Sequence, residues 1–272
     1  MKTPRPISLV VAYALFFVAG IAHDASADIL GFGDFSGFAV NLGDAQSPPV
    51  VNGGQIELTT GKSEFRSIFA KAPQNITKFT ASFTYQMTNA DGRDFAGAAF
   101  VIQNSPEGSA ALTTNYLAYQ GMPDSVAVTL ELTGGTGLYS NGTVGGSSVS
   151  TSPVNLGSGD PINVTLTYNG TTLSQTLVDS LASATFSRTY LITTPLPTVV
   201  GGSTAFVGIT AANGAAFGAD DQFLSNFQFT AVPEPSSWTL LLFGVAGMLR
   251  YLRHKNPTQS GLGAAPRSRR SC

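Results

Sequence analysis

Between Asp28 and Thr230 the chemistry on offer is that of carboxylates, hydroxyls and amides. The only histidines are His23 and His254, the only cysteine is Cys272 and the only tryptophan is Trp238, all outside that stretch. Without His or Cys, neither a Ser-His-Asp nor a Cys-His nucleophile system can be assembled there, nor a zinc site of ordinary ligands. Two carboxylates could hydrolyse a glycosidic bond if held about 5–9 Å apart across it. On a strand that requires acidic residues at alternate positions, and no strand segment has them. Glu131 stands two residues from Thr129 and Thr133, and Asp91 and Asp94 fall in a loop-like stretch. The expectation is a protein that is not an enzyme.

The charge is unevenly spread. Six basic residues face fourteen acidic ones between Asp28 and Thr230, a net charge near −8, whereas the whole chain carries −2. An acidic domain of this kind repels phosphate backbones, so nucleic acid is excluded as a partner. With no cysteine, its stability must come from burial and sheet hydrogen bonds.

The basic residues crowd into the two ends, and each end carries an address. Lys2 and Arg5 precede an apolar stretch from Ile7 to Ile21 and the small-residue site Ala25-Ser26-Ala27. This is the pattern of a secretory signal peptide over 1–27, with the mature chain starting near Asp28. At the other end Val232-Pro233-Glu234-Pro235 is followed by the apolar run Trp238–Leu249, then Arg250, Arg253 and Lys255. A helix over 238–252 would span roughly 22 Å, against a bilayer core of about 30 Å. It suits a temporary stay in the membrane, with its basic flank in the cytoplasm. Pro233 and Pro235 keep the approach extended. An ordinary single-pass anchor is the alternative reading. The three-part block over 232–255 resembles the PEP-CTERM sorting signal. That resemblance implies an exosortase-type sorting enzyme as partner, cleavage near the Pro-Glu-Pro, and release from the inner membrane to the cell surface or extracellular polysaccharide matrix. The chain continues through Arg267, Arg269 and Arg270 as a basic tail over 256–272.

What lies between, residues 28–231, reads as strands. Ala81, Phe83, Tyr85 and Met87 alternate with Ser82, Thr84 and Gln86; Ile162, Val164, Leu166 and Tyr168 alternate with Asn163, Thr165 and Thr167. Val126, Val128, Leu130 and Leu132 alternate with Ala127, Thr129 and Glu131, so Glu131 is expected to face outward. Period-two alternation marks half-buried strands. The continuous run Ala98–Ile102 reads as a strand buried on both sides. Asn169-Gly170 predicts a type I′ hairpin turn. Residues 28–49 could include a first strand, and 134–159 are either long loops or weak edge strands. No stretch has a convincing helical period. The fold class is all-β, a β-sandwich.

The order of these segments resembles the legume-type (L-type) lectin domain, a concanavalin-like jelly roll. Ser67–Tyr85, Gly97–Asn104, Tyr116–Glu131 and Ile162–Asp179 with Val200–Phe227 carry the resemblance, and together span most of 57–229. It implies carbohydrate binding, with extracellular glycan as the ligand. The family places a sugar-binding aspartate just before its Gly-x-Ala-Phe strand; the matching position here is Ala96, before Gly97, with Asp94 close by. Its metal pair, a Glu and an Asp, falls on Thr129 and Glu131. Its acidic loop ending in a metal-binding His has collapsed to Thr133–Gly137. A degenerate metal and sugar site is therefore expected. Calcium needs about six to eight oxygens, and Glu131 with Asp94, Asn141, Asp220 or Asp221 are the side chains that could supply some. A solvated loop is the simpler reading of Asp220-Asp221. Tyr119, with Tyr116, Tyr139 and Phe217, is a candidate to stack on a sugar face. The alternative is a non-catalytic structural matrix protein that kept the sandwich and lost sugar binding.

Overall fold

The structure, a computed structural model, describes residues 29–30 (backbone only), 36–43, 49–90, 96–146, 148–213, 220–232, 245 and 247–251. The segment 1–27, Asp94, Phe217, Pro233, Glu234, Pro235, most of 238–252 and the tail 256–272 lie outside the described residues.

Strands dominate, in chain order β1 (Ile29–Leu30), β2 (Phe38–Gly43), β3 (Val51–Asn52), β4 (Gln55–Thr59), β5 (Phe65–Ala70), β6 (Gln74–Asn75), β7 (Phe79–Thr88), β8 (Gly97–Gln103), β9 (Ser125–Glu131), β10 (Leu138–Ser140), β11 (Ile162–Tyr168), β12 (Thr172–Asp179), β13 (Ala184–Leu191), β14 (Thr204–Ala212) and β15 (Asp221–Ala231). They form two sheets. One runs β13-β12-β11-β7-β15-β4-β3, with β1 also on β15; the other runs β10-β9-β8-β14-β5-β2, with β6 on β14. The pairings along both are antiparallel. The strands include short ones in 28–49 and a three-residue edge strand, β10, in the Gly- and Ser-rich stretch. Among the described residues up to Val232, helix is confined to one turn, α1 (Leu196–Val199), and two 3-10 turns at Gly108–Ala110 and Tyr116–Ala118.

The alternation in β7 and β11 does what its period demands. Apolar residues of both strands enter the space between the sheets, and Ser, Thr and Asn of both face solvent. Aromatic rings fill the middle. Phe79 stacks on Phe229 at 5.0 Å and approaches Tyr168 at 5.7 Å and Phe100 of the opposite sheet at 6.1 Å. Phe83 stacks on Phe227 at 6.3 Å, and Phe227 meets Phe38 edge-on at 6.0 Å. Such pairs contribute about 0.5–1.5 kcal/mol each beyond the area they bury.

Two expectations are corrected. Strand β9 is buried along its whole length, not on one face. Its outer face, with Ala99 and Val101 of β8, is covered by Ala111, Leu117, Tyr119 and Met122, so a loop forms a third layer. The hairpin between β11 and β12 forms, but its turn is shifted by one residue. Asn169 pairs with Thr172, leaving Gly170 and Thr171 at the centre. Only Gly170 has positive φ (+101°), as in a type II′ turn. Asn169 Oδ1 accepts from the N–H groups of Thr171 and Thr172, an Asx turn that a type I′ reading ignores.

Residues up to Val232 form one compact unit holding both sheets and their core, and 233–272 form a second. In the second, Val245 and residues 247–251 are helical. Among the described residues no helix is long and apolar enough to cross a membrane.

Replacing Phe79 by Ala removes a fully buried ring at the centre of the aromatic stack. The expected cost is about 3–5 kcal/mol, read as a lowered urea midpoint of the purified domain with an unchanged slope.

Candidate functional site

Antiparallel register collects several of the candidate residues at one end of the seven-stranded sheet. Glu131 at the end of β9 pairs with Gly97 at the start of β8, and Gly97 with Ala212 at the end of β14. Two strand spacings, about 10 Å, thus separate Glu131 from the residue that precedes Asn213. Gly97 is required there: a β-carbon would collide with the Leu130 carbonyl and meet Leu117.

Glu131 is 5 % exposed, so it does not face outward. Its carboxylate is held by two hydroxyls. Thr129 Oγ1 donates to Oε1 at 2.7 Å and Tyr116 Oη donates to Oε2 at 2.9 Å. Thr129 Oγ1 in turn accepts from the N–H of Gly137 at 3.0 Å. Tyr116 reaches the carboxylate from a tight turn in which Leu117 and Ala118 both adopt left-handed backbone, with φ of 55° and 53°. Burial, then the charge of Glu131 and its hydrogen bond, pushes the Tyr116 phenol well above its ordinary range.

Asp220 is fully buried rather than solvated. Its carbonyl accepts from Asn213 Nδ2 at 2.6 Å and from Thr59 Oγ1 at 3.2 Å. Gln222 donates to Asn213 Oδ1 at 2.7 Å and accepts from the Tyr85 phenol at 2.9 Å. This chain of amides and hydroxyls pins the end of β14 to the start of β15. Asp221 accepts from Asn89 Nδ2 and is half-buried.

The other two candidates lie elsewhere. Tyr119 is fully buried and accepts from Ser125 Oγ at 3.2 Å and the N–H of Gly142 at 3.1 Å. Its ring is part of the core that the cover loop makes against the sheet and presents no face to a sugar. Asn141 is exposed and pairs with Ser125, at the opposite end of β9 from Glu131. Six residues at roughly 3.3 Å each put about 20 Å between them.

The described residues do not fit a calcium site. Each Glu131 oxygen already accepts from a hydroxyl, Thr129 stands where a second carboxylate would be, and Asn141 is at the far end. Among the described residues no group of three His, Cys, Asp or Glu side chains is placed to hold a metal ion.

Two open depressions carry neutral polar linings. One, of about 320 Å³, lies beside the turn after Glu131 and presents Thr133, Ser150, Ser152 and Asn155 around Pro153. The other, of about 610 Å³, lies between β10 and the segment after β13 and includes Asn141, Ser140, Thr143, Thr193 and Thr198 with Leu138, Ile192 and Leu196. Both fall in the size range of small-ligand sites. The first was missed because its only sequence signal is the Ser/Thr-rich run 147–153.

Comparison with known proteins agrees with this architecture. Residues 231–255 match the PEP-CTERM protein-sorting motif. The sandwich has the fold of the legume lectins. It superimposes on arcelin-5, a lectin-like defence protein from Phaseolus vulgaris, with a TM-score of 0.60 at 16% identity, covering 75% of this chain and 97% of that one. The metal-free form of lectin I-B4 from Griffonia simplicifolia gives 0.62 at 13% identity, covering 75% and 99%. The acidic lectin of winged bean, in complex with methyl-α-D-galactose, gives 0.59 at 16% identity, covering 75% and 96%. Among curated protein sequences none matches. The chain is thus a lectin-like, concanavalin-type sandwich bearing a PEP-CTERM sorting signal, which indicates export to the cell surface and processing by an exosortase.

Two outcomes are expected of the buried hydroxyl network. Thr129→Val strips one donor from a buried carboxylate and should cost about 1.5–3 kcal/mol in urea unfolding. Burial also raises the phenols of Tyr85, Tyr119 and Tyr190 above their ordinary value, as it does Tyr116. Above about pH 10 the unfolded chain sheds phenolic protons that the folded chain keeps. Stability should therefore be intact below pH 10 and fall as pH rises beyond it, by up to about 1.4 kcal/mol per pH unit for each such tyrosine. Unfolding midpoints between pH 8 and 11 check the sign, and Tyr116→Phe should flatten the decline.

Proposed function

We propose that the sandwich over 28–231 is an exported, non-catalytic protein that binds glycan at the cell surface or in the extracellular matrix, without a metal ion. The observation that carries this reading is the neutral, hydroxyl- and amide-lined depression beside Glu131, on a sandwich with the fold of the lectins. Neutral hydroxyls and amides recognise sugar hydroxyls by hydrogen bonds that need no ion. Thr133, Ser150, Ser152 and Asn155 supply those groups, and the family resemblance adds Asp94 and Gly97 as candidates. Asn141 belongs to the larger cleft at the far end. The winged bean lectin, of the same fold, carries a galactoside.

Delivery follows from the two ends. The signal peptide 1–27 directs export, 238–252 hold the chain transiently in the inner membrane, and the sorting enzyme cuts at the Val232-Pro233-Glu234-Pro235 block. The segment 232–255 is the sorting signal and 256–272 a basic tail.

A second reading, a structural matrix component without sugar binding, is supported by the sealed carboxylate. Glu131, in the family's metal position, spends both oxygens inside the protein. A glycan array probed with purified residues 28–231 separates the two. Binding equal within twofold in calcium and in chelator is the expected result. Silence on every glycan, the host's own exopolysaccharide included, sinks the binding reading and favours the structural one.

A further inference from the structure

Across β7, β11, β12 and β13 the solvent face of the eight-stranded sheet is an array of neutral, mostly hydroxyl side chains, and beyond it on β15 and β4 the same face carries Phe223 and Glu57. Register aligns Thr80, Thr167, Ser174 and Thr189 in one row across β7, β11, β12 and β13. The next row is Ser82, Thr165, Thr176 and Ser187. On the β15 side Thr230 and Gln228 extend the two rows. A third row, Thr84–Asn163–Val178–Thr185, follows the same register. Strand geometry sets the mesh at about 4.8 Å across strands and about 6.7 Å along them.

The hydroxyls are already ordered. Thr84 Oγ1 donates to Asn163 Oδ1 at 2.9 Å, Ser174 and Thr189 share a bond at 3.3 Å, and Thr176 and Ser187 share one at 3.4 Å. A partner would therefore meet groups that need little further ordering.

Strand propensity accounts for threonine but not for the absence of charge. Thr suits any half-exposed strand. A soluble surface ordinarily interleaves Lys, Arg, Asp and Glu, and edge strands carry charge to block pairing. None of the three rows holds a charged residue. The edge strand β13 shows solvent Thr185, Ser187, Thr189 and Leu191, although the domain carries a net charge near −8. That charge repels acidic polymers, so the face suits a neutral one.

We infer that this face is an adsorption surface for an ordered neutral polysaccharide, separate from the loop-end depression. Threonine methyls would lie against the C–H faces of the sugar rings while hydroxyls on the mesh bond to ring hydroxyls. Two glycan-contacting surfaces on one chain would let it bridge polymers, with avidity exceeding that of either alone.

The test is co-sedimentation of residues 28–231 with microcrystalline cellulose, curdlan and calcium-alginate particles. The domain should sediment with at least one of the two neutral glucans and stay largely in solution over alginate. The T165K/S187K double variant, at two exposed positions, should bind at least tenfold more weakly, and T165V/S187A, which removes both hydroxyls without adding charge, should also lose binding. Unchanged thermal midpoints confirm that both variants fold. Equal sedimentation of wild type and variants overturns the proposal, as does failure of the wild type on both glucans. So does a wild-type dimer that the lysines dissociate with no particle binding, which would assign the face to a second copy. Soluble-glycan binding is scored separately on the array. Adsorption without array binding leaves this face standing and removes the loop-end reading.

Discussion

Strands β8 and β9 lie between two layers. The eight-stranded sheet packs on their inner face, and the segment from Ala111 to Met122 packs on their outer face. Every side chain of β9 is therefore removed from water, including Thr129 and Glu131. A carboxylate in that position has to find donors, because an unsatisfied buried charge costs far more than any contact nearby returns. The donors are Thr129 on the same strand and Tyr116 on the cover. To deliver Tyr116, the cover accepts left-handed backbone at two consecutive non-glycine residues, a conformation that costs of order 1–3 kcal/mol each. The same turn seats Leu117 against Gly97, which has no side chain to obstruct it. Hydroxyls do here what a cation would do with a pair of carboxylates.

That arrangement separates the molecule's two ends. Around Glu131 the loops are tied down by buried amides and hydroxyls reaching from Tyr85 through Gln222 and Asn213 to Asp220. Around Ser125 the end of β9 is tied instead to Tyr119, Asn141 and Gly142. Each end has its own depression, both neutral, and the three described rows of the broad hydroxyl face hold no acidic residue.

Much of the fold was legible because strict alternation has one common solution, a strand with one dry and one wet face. It held for β7 and β11. It misled at β9, where the polar-side residues Ala127, Thr129 and Glu131 are buried under a loop that precedes the strand in sequence. The one local hint was that Ala127 is small and apolar on a face read as wet. The hairpin at Asn169 was legible and its turn type was not, because a side-chain acceptor competed with the backbone pattern. Of the candidate residues, Glu131 and Gly97 are register partners, and Asp220 is tied to Asn213, about two strand spacings from Glu131. Tyr119 turned out to be core and Asn141 lies a strand length away, since residue type alone does not say which end of a strand a loop returns to.

The sequence by itself determined the export address, the lack of His, Cys and Trp between Asp28 and Thr230, the acidic balance and the all-β class. Each of these is a property of composition or of short-range pattern. Only the tertiary structure decided that Glu131 is sealed by hydroxyls, that Asp220 is buried, and that scattered threonines become a two-dimensional mesh. Those outcomes depend on register and on which distant segment covers which face. Register is set by how two sheets bury their apolar sides together, and no single strand carries that information.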